Sequence, residues 1–129
     1  VASSGSTVGS ITYNGSNTVY STTSDARLKE NIVDATPKLA DLCKVKVRQY
    51  NLKSDPDHKQ IGVIAQELEE VFAGLVEESK DQDFEGNDLG TTTKAVKYSV
   101  FVPMLIKANQ EQQTLIESLT QRIATLENK

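Results

Sequence analysis

The chain has 129 residues, the size of one ordinary domain or one small domain with appendages. With 37% hydrophobic residues, 5% aromatics and no tryptophan, a lone copy has little large apolar surface to set against its chain entropy, so help from partner chains is expected. Against 18 acidic residues stand 14 basic ones, for a net charge of −4 with no basic stripe, which excludes the footprint of a nucleic-acid partner.

Residues 1–23 carry no charge and are rich in Ser, Thr, Gly and Asn, with scattered Val8, Ile11, Tyr13, Val19 and Tyr20. The start, VASSGSTVGS, has no basic region ahead of an apolar core, so no targeting segment is expected. Ile11 and Tyr13 alternate with polar neighbours and Asn14-Gly15 is a strong turn pair, which predicts short strands joined by tight turns. A flexible linker is the alternative. Five apolar residues form no core by themselves, so strands here would need copies from other chains.

Residues 24–98 have mixed character. Thr36-Pro37 before LADLC predicts a capped short helix with Pro37 at its first position. VKVRQYNL, residues 45–52, alternates as a strand does, and SDPDH, 54–58, predicts a turn. IGVIAQELEEVF, 61–72, starts as a β-branched strand and passes into a helix with Leu68, Val71 and Phe72 on one face. LVEE at 75–78 and AVKY at 95–98 read as two more strands, with DQDFEGNDLGTTT between them as a polar exposed loop.

Residues 99–129 predict a long helix, with Pro103 in a first turn that tolerates it. Leu105, Asn109, Gln112, Ile116, Leu119, Ile123 and Leu126 recur at spacings of four and three, a heptad seam flanked by Glu111, Glu117, Arg122 and Glu127. That pattern predicts a coiled coil. The alternative is an amphipathic helix docked on its own domain. The Ile-then-Leu order along the seam leans towards two strands. No apolar run approaches the roughly 20 residues of a membrane span, and no membrane partner is expected.

Most polar clusters carry structural readings. DQDFEGND sets Asp81, Asp83 and Glu85 at alternate positions before Gly86, in partial imitation of a calcium loop, but Thr92 stands where the closing glutamate belongs. Cys43 and His58 are the only residues of their kinds, which excludes an internal disulfide and a multi-cysteine zinc site, so no metal or other cofactor is expected. His58, beside Asp55 and Asp57, reads as a surface residue, and Cys43, after Leu39 and Leu42, as a buried small hydrophobe. Asn14-Gly15-Ser16 matches a glycosylation acceptor that means little without a secretory signal.

Charge begins abruptly in STTSDARLKENI, residues 21–32, where Ser24 and Lys29 stand five positions apart. Read alone, Ser24 fits a cap or turn residue better than a nucleophile. On a helix five residues advance about 500°, leaving the side chains some 140° apart, and on a strand they point to opposite faces. The two residues therefore meet only across a bend or between chains.

The run Ser24-Asp25-Ala26-Arg27-Leu28-Lys29-Glu30-Asn31-Ile32, then Gly62-Val63-Ile64-Ala65-Gln66-Glu67-Leu68, then Lys107-Ala108-Asn109-Gln110-Glu111-Gln112 on the last helix, resembles the intramolecular chaperone auto-processing domain that ends phage tailspikes, tail fibres and neck appendages, including the endosialidases. The resemblance implies an α+β fold: a small mixed strand and helix domain over 24–98, a C-terminal helix over 99–129 in a trimeric coiled coil, and a β-structured end of a fibre shaft over 1–23. It implies a homotrimer whose only other partner is the upstream shaft of the same polypeptide. Such a chaperone works in the host cytoplasm during virion assembly, or stays on the virion tail if not released. The implied activity is that of a self-cleaving serine peptidase cutting once between Thr23 and Ser24. Ser24 matches the nucleophile and Lys29 its partner, while Asp25 and Arg27 match positions expected to shape the turn.

The chemistry suits these residue types. A serine hydroxyl can attack the carbonyl just before it, giving a tetrahedral species and then an ester that water cleaves. A lysine can take the hydroxyl proton only when neutral, and the reference pKa of about 10.4 requires desolvation or a neighbouring cation, for which Arg27 is nearest in sequence. Backbone N–H groups at the bend are expected to supply the oxyanion site. Two other readings remain: a non-cleaving trimeric fibre tip that stays attached and touches the host surface, and a cellular coiled-coil adaptor, which leaves the Ser24 run without a purpose.

Overall fold

In a computed structural model, residues 2–3 and 6–129 are described, and the chain divides into two compact units, residues 1–34 and 35–129. The described residues make an α+β chain with four two-stranded antiparallel sheets and one long helix.

The first unit is built from short hairpins. β1 (Ala2–Ser3) pairs with β2 (Ser6–Thr7), and β3 (Gly9–Tyr13) with β4 (Thr18–Thr22) in a register that runs from Gly9↔Thr22 to Tyr13↔Thr18. Asn14-Gly15 makes the turn between β3 and β4, as the sequence predicts. Asn14 Oδ1 accepts from the amides of Ser16 and Asn17 at 3.1 and 2.9 Å, and Gly15 takes a φ of 90° that a side chain disfavours. Ile11, Tyr13 and Tyr20 remain exposed. The hairpin thus satisfies its backbone and leaves its apolar faces uncovered.

The second unit has a small core. Leu68 of α2 (Ala65–Glu69), Leu75 of a single 3-10 turn (Ala73–Leu75) and Met104 of α3 (Phe101–Glu127) pack together, with Leu42, Val63, Phe72, Val96 and Phe101 against them. Short α1 (Leu39–Leu42) lies on the first turns of α3. Its N-terminus is capped from α3: Glu111 Oε2 accepts from the amides of Lys38 and Leu39 at 2.8 and 3.0 Å. The predicted cap at Thr36-Pro37 is therefore corrected. The helix begins after Pro37, and its free amides find a carboxylate on another element instead of a local hydroxyl.

β5 (Arg48–Leu52) and β6 (Asp55–Gly62) form a hairpin whose turn lies at Lys53-Ser54, so most of the predicted SDPDH turn is strand. The pairing shifts between Asn51↔Lys59 and Leu52↔Asp55. Pro56 sits in this irregularity, where its missing N–H breaks no ladder bond. β7 (Val76–Gln82) and β8 (Asp88–Val96) replace most of the predicted 81–93 loop. Thr91 and Thr93 donate their hydroxyls to Asp81 at 2.6 and 2.7 Å across this hairpin, so β-branched residues take the strand state despite the turn-rich composition beside them.

Gly62 shows how tightly β5, β6 and the segment before α3 meet. A Cβ there would lie 2.7 Å from Tyr98 Oη and 3.0 Å from Tyr50 Oη, while Tyr98 Oη also accepts from the Val63 amide at 3.1 Å. Gly62→Ala should lower stability by about 1–3 kcal/mol through overpacking. A lower urea midpoint at unchanged slope is the expected readout. An unmoved midpoint would contradict the packing.

α3 presents two adjacent faces. Met104 and Ala108 are buried against the unit, and Phe101 and Glu111 half-buried. From Gln112 to Glu127 every residue except Ala124 is exposed. Docking on its own domain thus accounts for the first turns only. The heptad seam stays uncovered, with Ile116, Leu119 and Ile123 at 55%, 54% and 55% exposure. Among the described residues no helix is long and apolar enough to cross a membrane.

Candidate functional site: the Ser24 bend

The bend between Ser24 and Lys29 is a 3-10 turn (Ala26–Leu28) begun by Asp25. Asp25 Oδ1 accepts from the Arg27 amide at 2.9 Å and from Arg27 Nε at 3.1 Å, and Oδ2 accepts from Nη2 at 2.8 Å. One carboxylate therefore caps the turn and holds the guanidinium as a fork. The Leu28 amide donates to Asp25 O and that of Lys29 to Ala26 O, both at 3.1 Å. Lys29 then leaves the turn extended, with φ −123° and ψ 147°. Its Nζ reaches back to donate to Ser24 Oγ at 2.6 Å. The two residues that regular structure would separate meet across a bend within one chain.

On the other side of Ser24 the chain is pinned to the hairpin. The Thr23 amide donates to Val8 O at 3.2 Å, one step beyond the last β3–β4 pair, and the Thr23 hydroxyl donates to Thr7 O at 2.6 Å. The Thr23–Ser24 bond thus lies between a hydrogen-bonded strand end and a capped turn. Residues 22–30 around it are all exposed.

The contact between Nζ and Oγ has the length required for proton transfer. An ammonium donates to the hydroxyl in it. Once one proton leaves Nζ, the same pair becomes a hydroxyl donating to an amine, the arrangement from which abstraction proceeds.

Arg27, offered by the sequence as the cation near Lys29, has its charge engaged by Asp25. The amides of Arg27, Leu28 and Lys29 are committed within the turn.

The Arg27 fork and then its amide hold the Asp25 carboxyl below the usual carboxylate range. Because the folded value is depressed, Asp25 contributes its hold on the turn fully above the ordinary value of about 3.9 and loses it as pH falls through the lower folded value. Titrating the Arg27 amide resonance should give a midpoint below about 3.9. A midpoint at or above that value would mean the cap does not form.

The other candidates lie apart from this bend in sequence. His58 Nδ1 bonds Asp55 Oδ1 at 2.7 Å with both side chains exposed. Cys43 is exposed, contrary to the buried reading, because α1 ends at Leu42 and half-buries Leu39 and Leu42 in its place. Asp83 accepts from the amides of Glu85 and Asn87, both at 2.9 Å, and closes the β7–β8 turn. Among the described residues no group of three or more His, Cys, Asp or Glu side chains gathers as a metal site would require. Sequence reading overlooked the Thr23 hydroxyl and Glu111, whose partners are backbone groups on other elements.

Residues 24–77 match the family model described as the chaperone of endosialidase, which begins at Ser24 and takes in the whole bend. No curated protein matches the chain.

Proposed function

We propose that this chain, which carries an endosialidase-type intramolecular chaperone domain, gathers three copies of a phage fibre or appendage protein through α3, folds the shaft that precedes it, and then cuts itself free between Thr23 and Ser24. The hydrogen bond from Lys29 Nζ to Ser24 Oγ, beside the bond to be cut, is the observation that carries the peptidase part of this reading.

The chemistry balances with these two side chains and water. The Ser24 hydroxyl oxygen adds to the Thr23 carbonyl carbon while Lys29, as the free amine, takes the hydroxyl proton. The tetrahedral species expels the Ser24 nitrogen, which receives that proton, leaving an ester between Thr23 and Ser24 Oγ. Water hydrolyses the ester, giving a Thr23 carboxylate and restoring the hydroxyl. Lys29 can act only after losing a proton, and exposed side chains in one chain provide no cover for a neutral amine. Cover from neighbouring copies supplies it, so the cut follows assembly.

The chaperone part also has a physical basis. An intertwined β-shaft nucleates slowly through non-local contacts and leaves edges exposed on the way. Helices that zip first align the chains and raise their effective concentration. The uncovered seam of α3 and the uncovered apolar residues of the β3–β4 hairpin are the surfaces such assembly would bury. Once the nucleus leaves, the shaft persists by its unfolding barrier.

Mass spectrometry of the protein expressed with its upstream shaft tests the reading. A fragment beginning at Ser24 is expected, from material that light scattering shows to be trimeric. An intact trimer would instead make the chain an attached fibre tip, and a monomer would contradict both.

A further inference from the structure

We propose that Thr23 is a positioning residue for the cut, and that its two hydrogen bonds make cleavage conditional on pairing of the hairpin just upstream. This deepens the autoproteolytic reading and rests on it. Thr23 contributes the carbonyl under attack, yet its other polar groups are spent on the preceding strands: the hydroxyl on Thr7 O at 2.6 Å and the amide on Val8 O at 3.2 Å. Two bonds to successive carbonyls fix both the backbone and χ1 of a β-branched residue that is already stiff. One planar peptide unit further on, the Asp25 turn fixes the chain again.

The carbonyl is thus held from both ends, and its angle to Ser24 Oγ follows from the two anchors. Freeing one end lets the peptide plane rotate, and misplacement of that kind costs on the order of 100-fold in rate. Both anchors on the upstream side exist only while Thr7 and Val8 lie alongside Thr23. A copy whose hairpin has not paired would present Ser24 and Lys29 together but hold the carbonyl loosely. In this way the cut reads local folding of the shaft end as well as assembly.

The test measures release of the Ser24 fragment from purified trimers of the protein carrying its shaft. Thr23→Val keeps the branched shape without the hydroxyl and should slow release by about 100-fold. Thr23→Ser restores the donor and should recover the rate to within about threefold, with the pH profile of cleavage unchanged in both, since Thr23 does not titrate.

Gly9→Ala probes the hairpin from the other strand. Its Cβ would meet Ser21 O at 2.9 Å, loosening the pairing beside Thr23, and it should also slow release. If Thr23→Val does not assemble, Thr23→Ser and Gly9→Ala carry the test. Wild-type rates in Thr23→Val or Gly9→Ala, or a Thr23→Ser as slow as Thr23→Val, overturn the inference while leaving the Ser-Lys reading intact. Absence of cleavage in the parent protein, or undiminished cleavage in Ser24→Ala, overturns that reading and this inference with it.

Discussion

Ser24→Ala should leave the Thr23–Ser24 bond whole over any period in which the parent protein is fully cut, because it removes the hydroxyl that Lys29 touches and that would form the ester. The Lys29 variants say more about mechanism. Lys29→Met removes the amine that touches Ser24 Oγ at 2.6 Å and should slow release by about 100- to 10,000-fold, the usual contribution of a general base. Lys29→Arg keeps the charge and the capacity to donate to Ser24 but cannot give up a proton at any accessible pH. If Lys29 acts as a base, Arg should fail as badly as Met. If it only steadies the hydroxyl, Arg should retain most of the rate. Timed gels with intact-mass readout decide between these results, and a fast Lys29→Arg protein would remove the base from the mechanism.

Ile116→Lys with Ile123→Lys should abolish assembly and, with it, the cut. Both residues lie on the seam and are half exposed in the single chain, so much of each side chain is left for a partner copy to cover. In a trimer each substitution is repeated three times. Six apolar side chains, each with about half of the usual 1.5–3 kcal/mol of burial still to gain, give a loss of roughly 5–9 kcal/mol, which is comparable to the roughly 8 kcal/mol of a micromolar association. Light scattering should report a monomer whose domain remains folded by circular dichroism. A trimer of parental mass would show that α3 is not what joins the copies. A monomer that still cuts at the parental rate would separate the chemistry from assembly and contradict the cover proposed for Lys29.

The turn at Asn14-Gly15 was legible because its chemistry is local: an amide side chain bonding two residues ahead and a glycine with positive φ need nothing from the rest of the chain. The long helix was legible for a similar reason, since its period outlasts any local accident. The outer ends of the β7–β8 hairpin read as strands in the sequence, but its inner part reads as a loop because Asp81, Asp83 and Gly86 resemble linker residues until Thr91 and Thr93 are seen to donate to Asp81. The cap on α1 was out of reach, since Glu111 and Lys38 are brought together only by packing of α1 on α3.

For the Ser24 site, sequence geometry left Ser24 and Lys29 to meet either across a bend or between chains. The builder of the bend lies next to Ser24: Asp25, with Arg27 two positions on, is a carboxylate that can bond an amide and a guanidinium at once. The Thr23 clamp could not be read, because a hydroxyl bonded to a carbonyl sixteen residues earlier leaves no pattern in the sequence.

Cleavage resolved by assembly state tests the central claim most directly. The protein with its shaft is expressed, trimer is separated from monomer by size, and each fraction is incubated and weighed intact. The account predicts a product beginning at Ser24 that accumulates in the trimer and is absent from the monomer. Equal cutting in both fractions, or a break at any other bond, would contradict it.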